Sequence, residues 1–318
     1  MIKKPYKIVL NVAVFVICVV LIIKKVDIPN VVTLTRTVDF RIFIFTVSIS
    51  VLRTWLSGIR WELLHPNNMD GMSKWAYFRL SMLSHLFNLF MPGALGGDIV
   101  KTAYAFNEGK GQKVKKVIAV FVDRTIGLIS IMLLGMIALV ASHKQLPISF
   151  WHAVLLFLAS GGFMILLLSD RVLTVIDAIS RKMVIGRKFI EAGLINWRES
   201  VVFYKTNSHK VLASLALCAP IHLVSFTIYY VLALSTGMDI GFMEMVFAIA
   251  IMWLITAVPI SVGGMGVREL SLVWLLGIFG VPSEQAVSLA LLGYVNAIIK
   301  SSLALPLLFD FRKKKLAV

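Results

Sequence analysis

Long apolar runs, separated by short polar and mostly basic stretches, recur along the whole sequence. The clearest lie at 8–23, 40–64, 117–141, 150–169, 210–235 and 285–309. A helix needs about 20 apolar residues to cross the hydrocarbon layer of a bilayer. Two more stretches, 76–106 and 243–280, are apolar too, but Pro and Gly interrupt each in its middle. Their halves are about 13–16 residues long, short for a complete crossing. The pattern predicts an all-α, polytopic helical membrane protein, a single integral membrane domain over 1–318, with no soluble domain large enough for an independent catalytic activity.

Composition agrees: 59% of residues are hydrophobic and 15% charged, which excludes an ordinary soluble domain. A net charge of +16 would point a soluble protein toward nucleic acid. Here the basic residues sit in the connections between spans, where they set orientation, so no nucleic-acid partner is expected. With the N-terminus in the cytoplasm, the inner loops hold Lys3, Lys4, Lys7, the cluster Lys101 to Lys116, the series Arg171 to Lys210, and Arg312 to Lys315. The outer loops hold Lys24, Lys25, Arg36 and Lys144. That asymmetry predicts a multi-pass protein of the cell (cytoplasmic or inner) membrane with both termini cytoplasmic. The first run is followed by Lys24-Lys25 without a small-x-small cleavage pattern, and reads as an uncleaved span.

This topology requires each interrupted segment to enter and leave on one side, 76–106 from the cytoplasm and 243–280 from the opposite face. Both are therefore expected to be re-entrant hairpins. Between the halves, 170–209 carries Leu173, Ile176, Ile179 and Met183 at helical spacing beside Arg181, Lys182, Arg187 and Lys188. Such a stretch predicts an amphipathic helix on the inner leaflet.

The interrupted segments share a motif. Residues 92–101 read Pro-Gly-Ala-Leu-Gly-Gly-Asp-Ile-Val-Lys, and 259–268 read Pro-Ile-Ser-Val-Gly-Gly-Met-Gly-Val-Arg. Both fit Pro-x-x-aliphatic-Gly-Gly-x-x-Val-basic. With their flanking spans they define two inverted-topology repeats, about 40–141 and 210–309, each holding a Pro/Gly-broken hairpin. A pair of interrupted helices in corresponding positions is the sequence pointer to a transporter's midplane site. Pro92 and Pro259 lack an N–H, and the pairs Gly96-Gly97 and Gly263-Gly264 permit backbone angles closed to other residues. Backbone freed in this way survives at membrane depth only inside protein or beside a water-filled cavity. A half-helix restarting there turns its positive end to that cavity, which suits an anion, and Lys101 and Arg268 add full charges.

Ionisable residues also fall inside apolar segments: Arg53, Arg60, Glu62, Asp98, Asp123, Arg124, Glu244, Arg268, Glu269 and Lys300. Each costs roughly 2.5–3.5 kcal/mol at a helix centre, so they are expected to face a cavity or one another. Arg60 and Glu62 lie near a span end, within reach of the interface, and Asp123-Arg124 reads as a local ion pair. Arg53 and Lys300 lie deeper. The candidate substrate-binding set is Arg53, Arg60, Pro92, Gly96, Gly97, Asp98, Lys101, Arg124, Pro259, Gly263, Gly264, Arg268, Glu269 and Lys300. His85, near Asn88 on the first interrupted segment, is a further candidate. The six histidines and two cysteines form no metal-ligand spacing, and no cofactor is expected. No Walker A loop, dinucleotide fingerprint or nucleophile elbow is present, which excludes an ATP-driven pump within this chain.

Arg60-Trp61, the Pro92 to Lys101 motif, Asp123-Arg124-x-x-Gly-Leu and the Pro259 to Glu269 motif together resemble the lysylphosphatidylglycerol synthase transmembrane family, also described as flippase-like. The resemblance runs from about residue 5 to 310. It implies lipid translocation, and it carries over Arg60, Asp98, Arg124, Arg268 and Glu269 by position. In the namesake enzymes such a domain is fused to a soluble aminoacyl-transferase. This sequence ends at Val318, soon after its last span, so a stand-alone membrane domain without the synthase is expected. The expected function is a flippase for an anionic or aminoacylated phospholipid, or for a polyprenyl-phosphate-linked lipid. The expected partners are membrane lipids, with a separately encoded lipid synthase or glycosyltransferase and a homo-oligomer as further options. The alternatives are an integral-membrane glycosyl- or lipid-transferase, and a non-catalytic partner of a separate synthase.

Overall fold

The structure is a computed structural model, and it describes residues 26–65, 73–91, 96–107, 113–142, 202–258 and 261–306. The expected spans 8–23 and 150–169, residues 170–201 of the amphipathic connection, and both Pro92 and Pro259 lie outside the described residues. The described helices are α1 (Ile28–Arg36), α2 (Phe40–Leu64), α3 (Lys74–Phe90), α4 (Gly96–Asn107), α5 (Lys113–Ala141), α6 (Ser208–Ser235), α7 (Phe242–Ala257), α8 (Val267–Gly277) and α9 (Ser283–Ser302). Three of them are long and apolar enough to cross a membrane: α2, α5 from Val117 onward, and α6. The protein is helical and membrane-embedded.

The helix starts follow from local chemistry. Asp39 caps α2 by accepting the Arg41 N–H at 2.7 Å, and Ser73 Oγ caps α3 by accepting the Ala76 N–H at 3.2 Å. At the start of α7, Glu244 Oε2 accepts the Gly241 N–H at 2.9 Å. That contact accounts for one of the ionisable residues in the apolar segments: Glu244 satisfies a helix end.

Both interrupted segments are broken where the motif predicts. Helix α3 stops at Phe90 and α4 restarts at Gly96, while α7 stops at Ala257 and α8 restarts at Val267. The halves are unequal, with 17 and 12 residues around the first break and 16 and 11 around the second. At 1.5 Å per residue, α4 and α8 reach only about 16–18 Å, roughly half the hydrocarbon thickness.

Helix α2 lies along α6, α5 packs against α7, and α9 packs against α1, α2 and α3. Helix α3 folds back on α4, and α7 on α8. The main core, with Phe226, Leu232, Met245, Ile249, Met252 and Leu272 fully buried, is shared by α6, α7 and α8 with their neighbours. A second cluster around Trp61, Tyr77, Leu80 and Leu83 joins α2 to α3. Outward faces stay apolar: Phe40, Leu133, Ile137, Leu212, Trp274 and Ile298 are exposed. Such a surface is unfavourable in water and is what lipid contact requires. Many polar and charged side chains collect instead in the interior beside the breaks.

Candidate functional site

The two breaks meet. Gly263, in the second motif, donates its N–H to the carbonyl of Met91, which ends the first half-helix, at 3.0 Å. Its own carbonyl accepts from the Tyr294 hydroxyl at 2.6 Å. Gly263 has φ +59°, and a Cβ there would stand 2.5 Å from the Leu89 carbonyl oxygen. Both the backbone angle and the lack of space demand glycine. The equivalent approach in the first motif belongs to Gly97, whose N–H donates to Asn88 Oδ1 at 2.6 Å and whose Cβ would overlap Ser84. The Gly263 N–H is thus satisfied by the opposite motif and the Gly97 N–H by the preceding half-helix, as the membrane interior requires.

A cavity of about 370 Å³ opens beside this junction. Helix α2 presents Ser50, Arg53, Ser57 and Arg60 to it, spaced three or four residues apart on one face. Ser84, His85 and Asn88 contribute from α3, His222, Ser225 and Tyr229 from α6, and Asn296 and Lys300 from α9. Asp98 and Lys101 reach in from α4, Asp123 and Arg124 from α5, and Gly263, Gly264 and Arg268 from the second motif.

Two ionic groups organise the wall. Asp123 accepts from Arg60 Nε at 2.9 Å on one oxygen and from Lys101 Nζ at 3.2 Å on the other. Lys101 Nζ also sits 4.1 Å from the centroid of the fully buried Trp61 ring. Arg60 further donates to Cys218 Sγ at 3.2 Å. Gly127, one turn beyond Asp123, leaves room for the guanidinium, since a Cβ there would be 3.4 Å from Arg60 Nη1. Arg60-Trp61, Lys101 and Asp123-x-x-x-Gly127 thereby interlock into one buried unit. The second group is Asp98, which accepts from Arg124 Nη1 at 3.0 Å.

These pairings correct two expectations. Asp123 and Arg124 do not act as a local pair: each has a different partner, because successive residues on a helix do not face each other. They also lie well inside a helix that begins at Lys113. Arg60 is 7% exposed and turned inward, so it does not reach for the interface.

Three cavity cations have no carboxylate within 4.0 Å among the described residues: Arg53, Arg268 and Lys300. Arg53 donates to Ser225 Oγ at 3.1 Å and meets His85 Nε2 at 3.3 Å. Because a guanidinium only donates, His85 Nε2 is the acceptor there. Arg268 lies over the Tyr294 ring, 4.1 Å from its centroid, with its Nε buried and unpartnered. Lys300 is 4% exposed. Among the described residues the cavity is lined by six cations and two carboxylates, and both carboxylates are already engaged.

The family described as the lysylphosphatidylglycerol synthase TM region matches residues 8–299. The chain belongs to that family. Comparison with curated proteins and with solved structures returns no match. As a member of the lysylphosphatidylglycerol synthase TM family, it is a membrane protein of a family named for lipid metabolism, and the match takes in both broken motifs and every residue of the ionic groups above.

Of the residues expected at the site, Arg53, Arg60, Asp98, Lys101, Arg124, Gly263, Gly264, Arg268 and Lys300 line the one cavity. Gly96 and Gly97 are buried behind it where α3 and α4 cross. Glu269 is 7% exposed and is not among the lining residues. His85 does line it. Sequence reasoning does not place His222, Ser225, Tyr229 or Asn296 there, and it reads Asp123 as half of a local ion pair. For two of these a signal existed: Asn296 precedes Lys300 by four residues, and Asp123 opens a family motif that also supplies Gly127.

Proposed function

We propose that this protein is a lipid translocase. The anionic headgroup of a membrane lipid enters the cavity between the two breaks, while its acyl or prenyl tails remain in the surrounding bilayer. The observation that carries this reading is the trio Arg53, Arg268 and Lys300, held without carboxylates inside an apolar helical shell. An unmatched charge at membrane depth costs roughly 2.5–3.5 kcal/mol, and three of them around one space call for an anionic occupant.

In this reading the protein is one integral membrane domain of the cell membrane with both termini in the cytoplasm. Its two inverted repeats, about 40–141 and 210–309, each contribute a re-entrant hairpin, α3–α4 from the cytoplasmic side and α7–α8 from the other. The half-length of α4 and α8 supports re-entry. The helix pairings support the repeat, because they come in matched sets. If α2, α3, α4 and α5 correspond to α6, α7, α8 and α9, then α5 against α7 is the counterpart of α9 against α3. Likewise α2 against α9 is the counterpart of α6 against α5, and α2 and α6 pack on each other as a pseudo-twofold axis between them requires. Membrane lipids are the partners this reading needs.

A transferase that uses a cavity carboxylate as its base is disfavoured, since Asp98 and Asp123 are both tied to cations, which leaves the lining histidines His85 and His222 as the bases a transferase would need. The test is lipidomics of a deletion strain, comparing total content with outer-leaflet exposure of each anionic lipid. Unchanged total with lost exposure supports translocation. Disappearance of a lipid from the total points to synthesis instead and sinks the translocase reading.

A further inference from the structure

Resting on the translocase reading, we infer that the cavity selects a phosphate-ester headgroup whose remainder is uncharged and hydroxyl-bearing, and that it rejects an aminoacylated one, despite the family's name. Arg53, Arg268 and Lys300 supply positive charge without carboxylates, and two of them carry guanidinium forks that match phosphate oxygens. An aminoacyl ester adds one or more ammonium groups, and each needs an acceptor carboxylate in so buried a place. None is free. Asp123 is shared by Arg60 and Lys101, and Asp98 is held by Arg124. Glu269, the remaining carboxylate near the breaks, has an unpartnered Oε2 but does not line the cavity. The stretches 92–95 and 259–260, which complete the breaks, carry no acidic residue.

Neutral polar atoms are available for the rest of the headgroup. Ser81, Ser301 and His222 are among the residues that line the cavity, and Ser81 Oγ and Ser301 Oγ are buried without a hydrogen-bond partner. Ser81 and Ser301 are 3% and 1% exposed, so bulk water does not satisfy these two hydroxyls. Buried polar groups in native proteins are almost always paired, and a headgroup's hydroxyls are suitable partners for these. The volume of about 370 Å³ lies within the range of small-ligand sites.

The test is native mass spectrometry of the full chain in detergent, titrated with short-chain phosphatidylglycerol and, separately, with its lysyl ester. Wild type should bind phosphatidylglycerol at least about tenfold more tightly, since like-charge juxtaposition is strongly unfavourable in such a site. Arg53→Gln combined with Lys300→Gln should bring the two lipids to within about threefold, because the repulsion that excluded the ammonium has been removed. Equal or tighter binding of the lysyl ester by wild type overturns the inference, with no variant needed. Glycerol phosphate is the third probe. Displacement of lipid by it at concentrations comparable to the lipid's assigns the site to a soluble phosphate ester and overturns the lipid headgroup as the source. Retained preference for phosphatidylglycerol without translocation in liposomes sinks the translocase reading and leaves the charge selectivity standing.

Discussion

Gly263 donates its backbone N–H to the carbonyl of Met91, and through that one bond the two broken helices are joined. Each break would otherwise expose backbone donors and acceptors to hydrocarbon. Tying one break to the other satisfies one donor and one acceptor and places residues of both motifs at the edge of a single cavity.

Replacing Gly263 with alanine should therefore damage both stability and transport. A non-glycine residue at φ +59° is strained by about 1–3 kcal/mol, and the Cβ would also press on the Leu89 carbonyl. Thermal unfolding in detergent should fall by several degrees. Gly277→Ala is the control: a Cβ there meets no atom within 4 Å, and stability should change by less than about 0.5 kcal/mol. Equal effects at the two sites would contradict the proposed tie.

Asp123→Ala should be among the most destabilising single changes, by about 3–5 kcal/mol, because it leaves Arg60 and Lys101 buried without their shared partner. Adding Lys101→Met should recover part of the loss by removing one orphaned charge. A double variant as unstable as the sum of the singles would show that Lys101 and Asp123 are not coupled.

The Asp98–Arg124 pair should behave differently. Its side chains are 23% and 24% exposed, against 8% for Asp123. A double-mutant cycle with Asp98→Asn and Arg124→Gln should give a coupling of about 1 kcal/mol, well below that of the buried group. A coupling above about 3 kcal/mol would mean that this pair is as shielded as the other.

Arg53→Gln and Lys300→Met should separate stability from function. Both cations are held without a carboxylate, so neutralising either should leave the melting temperature unchanged or raise it by a few degrees. Lipid translocation should fall at least about tenfold in each. Retained transport in a well-folded Lys300→Met protein would remove Lys300 from the site.

Much of this was legible in the sequence because the bilayer constrains the pattern so strongly. Unbroken apolar length located α2, α5 and α6 to within a few residues, and shared Pro/Gly chemistry marked both breaks. Cost at membrane depth marked ten ionisable residues before any geometry was known, with Arg53, Arg268 and Lys300 among them. What stayed hidden was pairing. Asp123 stands next to Arg124 in the chain, yet it reaches Arg60, 63 positions away, and Lys101, 22 positions away. Only the crossing of α2, α4 and α5 decides that choice. Small polar residues such as Ser225 were invisible for a related reason. Serine in a membrane helix commonly bonds its own preceding turn, as Ser225 does with Ile221, and only the arrival of Arg53 gives it a second role.

In the proposed mechanism three cations without a carboxylate partner, beside the joined breaks, receive a lipid's anionic headgroup. Reconstitution into liposomes tests it most directly, with movement of phosphatidylglycerol between leaflets measured for wild type and for Arg268→Gln, both first shown to be folded. Rapid movement with wild type and a loss of at least about tenfold with Arg268→Gln is the predicted result. Equal rates for the two proteins, or no acceleration over protein-free liposomes for either, would contradict it.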